Sequence, residues 1–222
     1  MRLIRSSFIS LAAFLLSATL LRAQDLSKYR DFSLGTSLAD LSKQIDAKPA
    51  DVKVVHQQPA LIEELSWWPR ISGYPPRPEA IREVLFSFCN GKLYRIYVTY
   101  DDSATEGMTA DDMARAISET YGMPSAPDAS MSLAAGTYGD KVKVIDRWEN
   151  SQYSVNLLRP SFSSTFALVL FARQLNVVAE AAISAASKLE QQDAPQREID
   201  RKKKEADALE AMRVKNMKTF QP

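Results

Sequence analysis

One short block of residues occurs twice in this chain. Residues 35–45 read Gly-Thr-Ser-Leu-Ala-Asp-Leu-Ser-Lys-Gln-Ile, and residues 107–117 read Gly-Met-Thr-Ala-Asp-Asp-Met-Ala-Arg-Ala-Ile, at a constant offset of 72. A glycine, a hydroxyl residue, an aspartate, a large apolar residue, a base and an isoleucine recur in the same order, and a proline stands near the end of each copy, Pro49 and Pro124. A repeat of this length implies two copies of one supersecondary unit, neither of which buries its apolar face alone.

Each copy should open with a helix. Ser37 and Thr109 are hydroxyl residues suited to cap the first backbone N–H groups, and Asp40 and Asp112 follow three residues later, as in a capping box. Leu38, Leu41 and Ile45 share one helical face, as do Ala110, Met113 and Ile117, while Gly122 and Pro124 stop the second helix. These aspartates therefore read as caps rather than catalysts. Three strands follow in each copy, expected at 61–68, 83–89 and 92–100, then at 142–149, 153–159 and 165–172. Asn90-Gly91 between apolar runs is a strong hairpin signal, because both turn residues need positive φ. The expected fold is α+β: two tandem α-β-β-β units, about 30–101 and 102–173, forming an antiparallel sheet with helices packed on one face.

The residues around the two helices resemble those of a known superfamily, the fold shared by β-lactamase inhibitor protein and the small lipoprotein of the outer-membrane β-barrel assembly machine. The second copy carries the pattern in Gly107, Met108, Thr109, Asp112, Met113, Gly122 and Pro124. The first carries it in Phe32, Gly35, Thr36, Ser37, Asp40, Leu41 and Pro49, with Asp46-Ala47-Lys48 where a Gly-x pair is expected. The likeness spans roughly 30–173. It implies a protein-binding or scaffold role, by fold-level analogy. The chain departs from the pattern in lacking a lipidation cysteine and the paired disulfides of secreted inhibitors.

The ends suggest a compartment. Arg2 and Arg5 precede an apolar run from Phe8 to Leu21, and Ala23 offers a small residue at a cut, so residues 1–23 read as a cleavable secretory signal peptide. The run is shorter than the roughly 20 residues a membrane span takes. Removing it takes away three arginines and no acid, leaving 25 basic against 27 acidic residues. That balance argues against a nucleic-acid partner. The expected location is outside the cytoplasm, in a periplasm or beyond the cell. Cys89, the only cysteine, cannot form a disulfide within the chain, so stability must come from a packed core.

Catalytic constellations are sparse. The single His56 lacks partners for a usual zinc site or a serine triad, and no glycine-rich phosphate loop is present. No enzyme activity, metal or cofactor is expected. A hydrolase using paired carboxylates, such as Asp101-Asp102 or Asp111-Asp112, is the weaker alternative.

The binding surface is sought among aromatics. Simple alternation from the Asn90-Gly91 turn puts Leu85, Ser87, Cys89, Tyr94, Ile96 and Val98 on one face and Val84, Phe86, Phe88, Leu93, Arg95, Tyr97 and Thr99 on the other. Neither face is polar, so both are covered or one is a recognition surface. The candidate protein-binding residues are Phe86, Phe88, Arg95 and Tyr97, together with Trp67, Trp68 and Tyr74 beside a loop holding Pro69, Pro75, Pro76 and Pro78. The competing reading has the C-terminal helix or a loop covering the aromatic face. That tail, 174–222, is expected as an Ala-rich helix over 177–189, a break at Asp193-Ala194-Pro195, and a second helix over 198–218. Its thin stripe of Ile199, Ala206, Leu209 and Met212 suggests a projecting helix or weak coiled coil through which the chain self-associates, an alternative role as a structural envelope component.

Overall fold

The computed structural model describes residues 25–69, 80–125, 130–132, 141–159 and 165–220. The expected signal peptide and residues 70–79 of the proline-rich loop, including Tyr74, lie outside them.

Two short strands, β1 (Lys28–Tyr29) and β2 (Phe32–Ser33), form a ribbon of their own ahead of helix α1 (Leu38–Gln44). After a 3-10 turn at Pro49–Asp51 come β3 (Val52–His56), β4 (Ile62–Trp67), β5 (Ile81–Cys89) and β6 (Lys92–Tyr100). The short α2 (Asp102–Thr105) and then α3 (Ala110–Tyr121) open the second half, followed by β7 (Ser130–Ser132), β8 (Lys141–Glu149), β9 (Tyr153–Arg159), β10 (Ala167–Ala172) and the long α4 (Arg173–Thr219). The main sheet has eight strands in the order β3-β4-β5-β6-β10-β9-β8-β7, every pair antiparallel. Each half is thus a four-strand meander behind a helix, and the two meanders join where β6 pairs with β10. The units carry four strands rather than three, because β3 and the three-residue β7 escape a reading based on long apolar alternation.

The helix starts follow the sequence signals. Ser37 Oγ accepts from the Asp40 N–H at 3.1 Å. At α3 the box is complete: Thr109 Oγ1 accepts from the Asp112 N–H at 3.2 Å, and the Asp112 carboxylate accepts from the Thr109 N–H at 3.0 Å. The Thr109 hydroxyl also donates to the Asp112 carboxylate at 2.6 Å, and this bond, followed by that from the Thr109 N–H, holds the Asp112 carboxyl below its ordinary value. Gly35 and Gly107 precede the two caps with φ of +87° and +77°, which explains why both copies keep glycine there.

Three apolar clusters divide the sheet by face, one beneath the first helices and two on the other side. Val84, Phe86, Phe88, Leu93, Ile96 and Val98 pack with Leu41 of α1 and Met113, Ile117 and Tyr121 of α3, all buried. On the opposite face Ile62, Cys89 and Tyr94 pack against Ala179 and Ile183 of α4, and Tyr97 packs with Val144, Leu158, Ala167 and Val169. Simple alternation fails in β6, since Phe88 pairs with Leu93 but Ser87 pairs with Arg95, leaving Tyr94 as a bulged extra residue. Everything beyond it on β6 changes face. Ile96 and Val98 therefore join Phe86 and Phe88 in the helix-covered core, while Arg95 and Tyr97 stand with Leu85 and Ser87.

The tail also differs from expectation. Helix α4 runs unbroken through Pro195. Its first turns bury Ala179, Ala182, Ile183 and Ala186 against the sheet, whereas every described residue from 188 onward is exposed. That exposed stretch is about 50 Å long at 1.5 Å per residue. Pairs such as Glu198–Arg201 at 2.8 Å and Glu210–Arg213 at 2.6 Å run along it, the kind of spacing that supports a helix without tertiary packing. No helix among the described residues is long and apolar enough to cross a membrane.

Candidate functional site

Strand β4 outruns its outer neighbour. The β3–β4 ladder ends where Val52 faces Leu65, because the chain before Val52 is the 3-10 turn, fixed by the Asp51 carboxylate accepting from the Lys48 N–H at 2.7 Å. Ser66 and Trp67 keep β5 on their inner side, opposite Leu85 and Val84. Among the described residues no strand lies on their outer side. The β4 backbone here is an open edge.

A cleft of about 1180 Å³ follows this edge. One wall is the turn between β1 and β2, with Arg30, Asp31 and Phe32, and the residues that end α1, from Gln44 to Ala47. Gln44 Nε2 donates to the Asp31 carbonyl at 3.0 Å and so ties those two pieces together. The other wall comes from Asp51, Lys53, Glu64, Glu83 and Leu85. The Trp67 ring is half-buried and meets the edge of Phe32 at 5.3 Å, and Phe32 in turn meets the core ring of Phe86 at 4.9 Å. Trp67 is therefore anchored to the core, whereas Trp68 is 59% exposed beside it.

The candidate residues separate into three groups. Trp67 and Trp68 share the cleft. Phe86 and Phe88 are fully buried beneath α1 and α3, so the sequence reading of them as a partner surface is corrected: the helices cover them, and the bulge at Tyr94 takes Arg95 and Tyr97 to the other face. Arg95 and Tyr97 lie on the other face and are also buried, with Arg95 9% exposed. The Arg95 guanidinium sits 5.3 Å from the Tyr94 ring and 3.4 Å from Glu180 of α4, so here the C-terminal helix is the cover. Burial pushes the Tyr94 hydroxyl up, against an opposing pull from Arg95. Helix α4 is further attached where His56 Nδ1 meets Glu190 at 3.2 Å. Cys89 is buried, and burial pushes its thiol up, away from the reactive range.

Two of the acids named from sequence cap helices. Asp101 caps α2 by accepting from the Ser103 N–H at 2.9 Å, and Asp112 closes the box at α3. Asp146 is held above its ordinary value by burial and by nearby Asp111, but it lies on β8, with four strands between it and β4. Among the described residues no group of three or more histidines, cysteines or carboxylates is placed to hold a metal ion. Sequence reasoning missed most of the cleft, including Phe32, Asp46, Asp51, Lys53 and Glu64. One signal was present: Asp46-Ala47-Lys48, where the repeat loses its expected Gly-x, sits in and beside the wall.

No family model, curated protein or solved structure matches this chain.

Proposed function

We propose that the chain is an exported, non-enzymatic protein-binding module of the cell envelope, and that it receives its partner in the cleft along the open edge of β4. The observation that carries this reading is the pairing of an exposed indole, Trp68, with a core-anchored one, Trp67, at a strand edge with no outer neighbour among the described residues. Trp is among the residues most enriched where partners bind tightly, and a rigid ring loses little freedom on contact. Strand edges are also natural templates for a partner's backbone. The export reading rests on the basic and apolar residues of 1–23, and the protein-holding role on the likeness of the two helix-opening blocks to that superfamily.

A second reading has its own support. Ile199, Leu209 and Met217 are exposed and fall within one arc of α4, a stripe through which two copies can pair. One experiment separates the two. A photo-crosslinking residue is placed at position 68 and, in a parallel chain, at position 209, and the full-length protein is illuminated in intact cells. A discrete adduct with another protein from position 68 alone is the expected result. Adducts of the chain with itself from position 209, with none from position 68, overturn the cleft in favour of self-association.

A further inference from the structure

The cleft has a charge as well as a shape. Its lining holds five carboxylates, Asp31, Asp46, Asp51, Glu64 and Glu83, against two cations. One of those cations, Lys53, stands directly opposite Glu64 in the β3–β4 register. The remaining acids lie on both sides of the β4 edge, along the path that an added strand would follow. We propose that the occupant of the cleft is an extended, cationic peptide segment of a partner protein, bound as an extra strand against Ser66 and Trp67. This rests on the reading of the cleft as a binding site and adds the chemistry of what enters it.

Three features select that occupant. The open β4 backbone favours a segment that is itself extended, since main-chain hydrogen bonds form only in register. Side chains of an added strand alternate between its faces. One set meets the aromatic and apolar wall at Trp67, Phe32 and Ala47. The other meets Glu83, which faces away from the helix-covered core with Leu85 and the nearly buried Glu64. An alternating apolar and basic segment satisfies both walls, whereas an acidic segment or a nucleic acid meets a lining in which acids outnumber bases. Complementary charge of this kind steers encounter and rejects wrong partners.

The test uses a nine-residue fluorescent peptide of alternating Lys and Val with the full mature chain, read by anisotropy. Two companion peptides carry Glu in place of Lys, or N-methyl groups along the backbone. The Lys-Val peptide should bind at least tenfold more tightly than either companion, and more weakly as salt rises. Trp68→Ala and the double change Asp46→Asn with Asp51→Asn should each weaken it at least fivefold in chains with unchanged circular dichroism. Equal binding of the Glu peptide removes the charge component, and equal binding of the N-methylated peptide removes the added strand; either overturns the proposal. Binding that appears only after residues 70–79 are replaced by Gly and Ser makes the chain's own loop the occupant. A dimer dispersed by the peptide makes a second copy the occupant, and both results also overturn it. An adduct from position 68 together with no binding of the Lys-Val peptide overturns the cationic strand and leaves the protein-binding cleft standing. Absence of both removes the two together.

Discussion

At the scale of residues, one bulge decides which aromatics are structural. Tyr94 adds a single residue to β6, and the side chains beyond it exchange faces. The residue types on this hairpin were legible in the sequence, and so was the Asn90-Gly91 turn, with φ of 49° and 73°. The bulge was not, because nothing in Leu-Tyr-Arg-Ile-Tyr distinguishes a regular strand from one with an extra residue. Phe86, read from sequence as a partner contact, has no exposed surface, whereas Trp68 has most of its surface in solvent. Truncating a buried Phe costs about 3–5 kcal/mol, while surface changes stay within about 0.5 kcal/mol. Urea denaturation should therefore show a large loss of stability for Phe86→Ala and almost none for Trp68→Ala. A stable Phe86→Ala chain would contradict the face assignment.

At the scale of elements, the helices that begin each unit were readable because their capping chemistry is local. Ser37 with Asp40, and Thr109 with Asp112, are three residues apart and form the bonds that their spacing implies. The strands β3 and β7 were not readable in the same way. Val52–His56 is short and half exposed, and it exists as a strand because β4 supplies the partner. The continuity of α4 through Pro195 was also hidden. Proline removes one intrahelical bond and crowds the preceding turn, but Asp193 pairs with Arg197 at 3.5 Å and Gln196 with Asp200 at 3.0 Å across the same turns. The two halves of α4 have different roles. Ending the chain after Ser187 removes only exposed residues and should leave the melting temperature within about 3 °C of the parent. Ending it after Arg173 uncovers Ile62, Cys89 and Tyr94 and should cost about 3 kcal/mol or more. Differential scanning calorimetry of both truncations checks this, and equal melting of the two would show that α4 does not seal the second face.

At the scale of the whole molecule, the arrangement β3-β4-β5-β6-β10-β9-β8-β7 gives two meanders a common seam at β6 and β10. The first helices cover one face and the start of α4 covers part of the other, so the aromatic sheet faces that attract attention in the sequence are largely used up in folding. The recognition we propose uses an edge. It appears because β3 begins late, and its walls come from the β1–β2 turn, the end of α1 and the strands beside it. That convergence joins residues more than fifty positions apart in the chain, such as Asp31 and Glu83, and no local pattern announces it. Trp67 and Trp68 were found because large aromatics beside a rigid loop are conspicuous; the acids around them were found only by folding. The most direct measurement is amide hydrogen exchange of the full mature chain, alone and bound to the partner recovered by crosslinking. The expected result is new backbone protection at Ser66, Trp67 and Trp68, with the amides of β5, β6 and β10 unchanged. Protection confined to residues 188–220 of α4, with the β4 edge exchanging as it does in the free chain, would contradict the central claim.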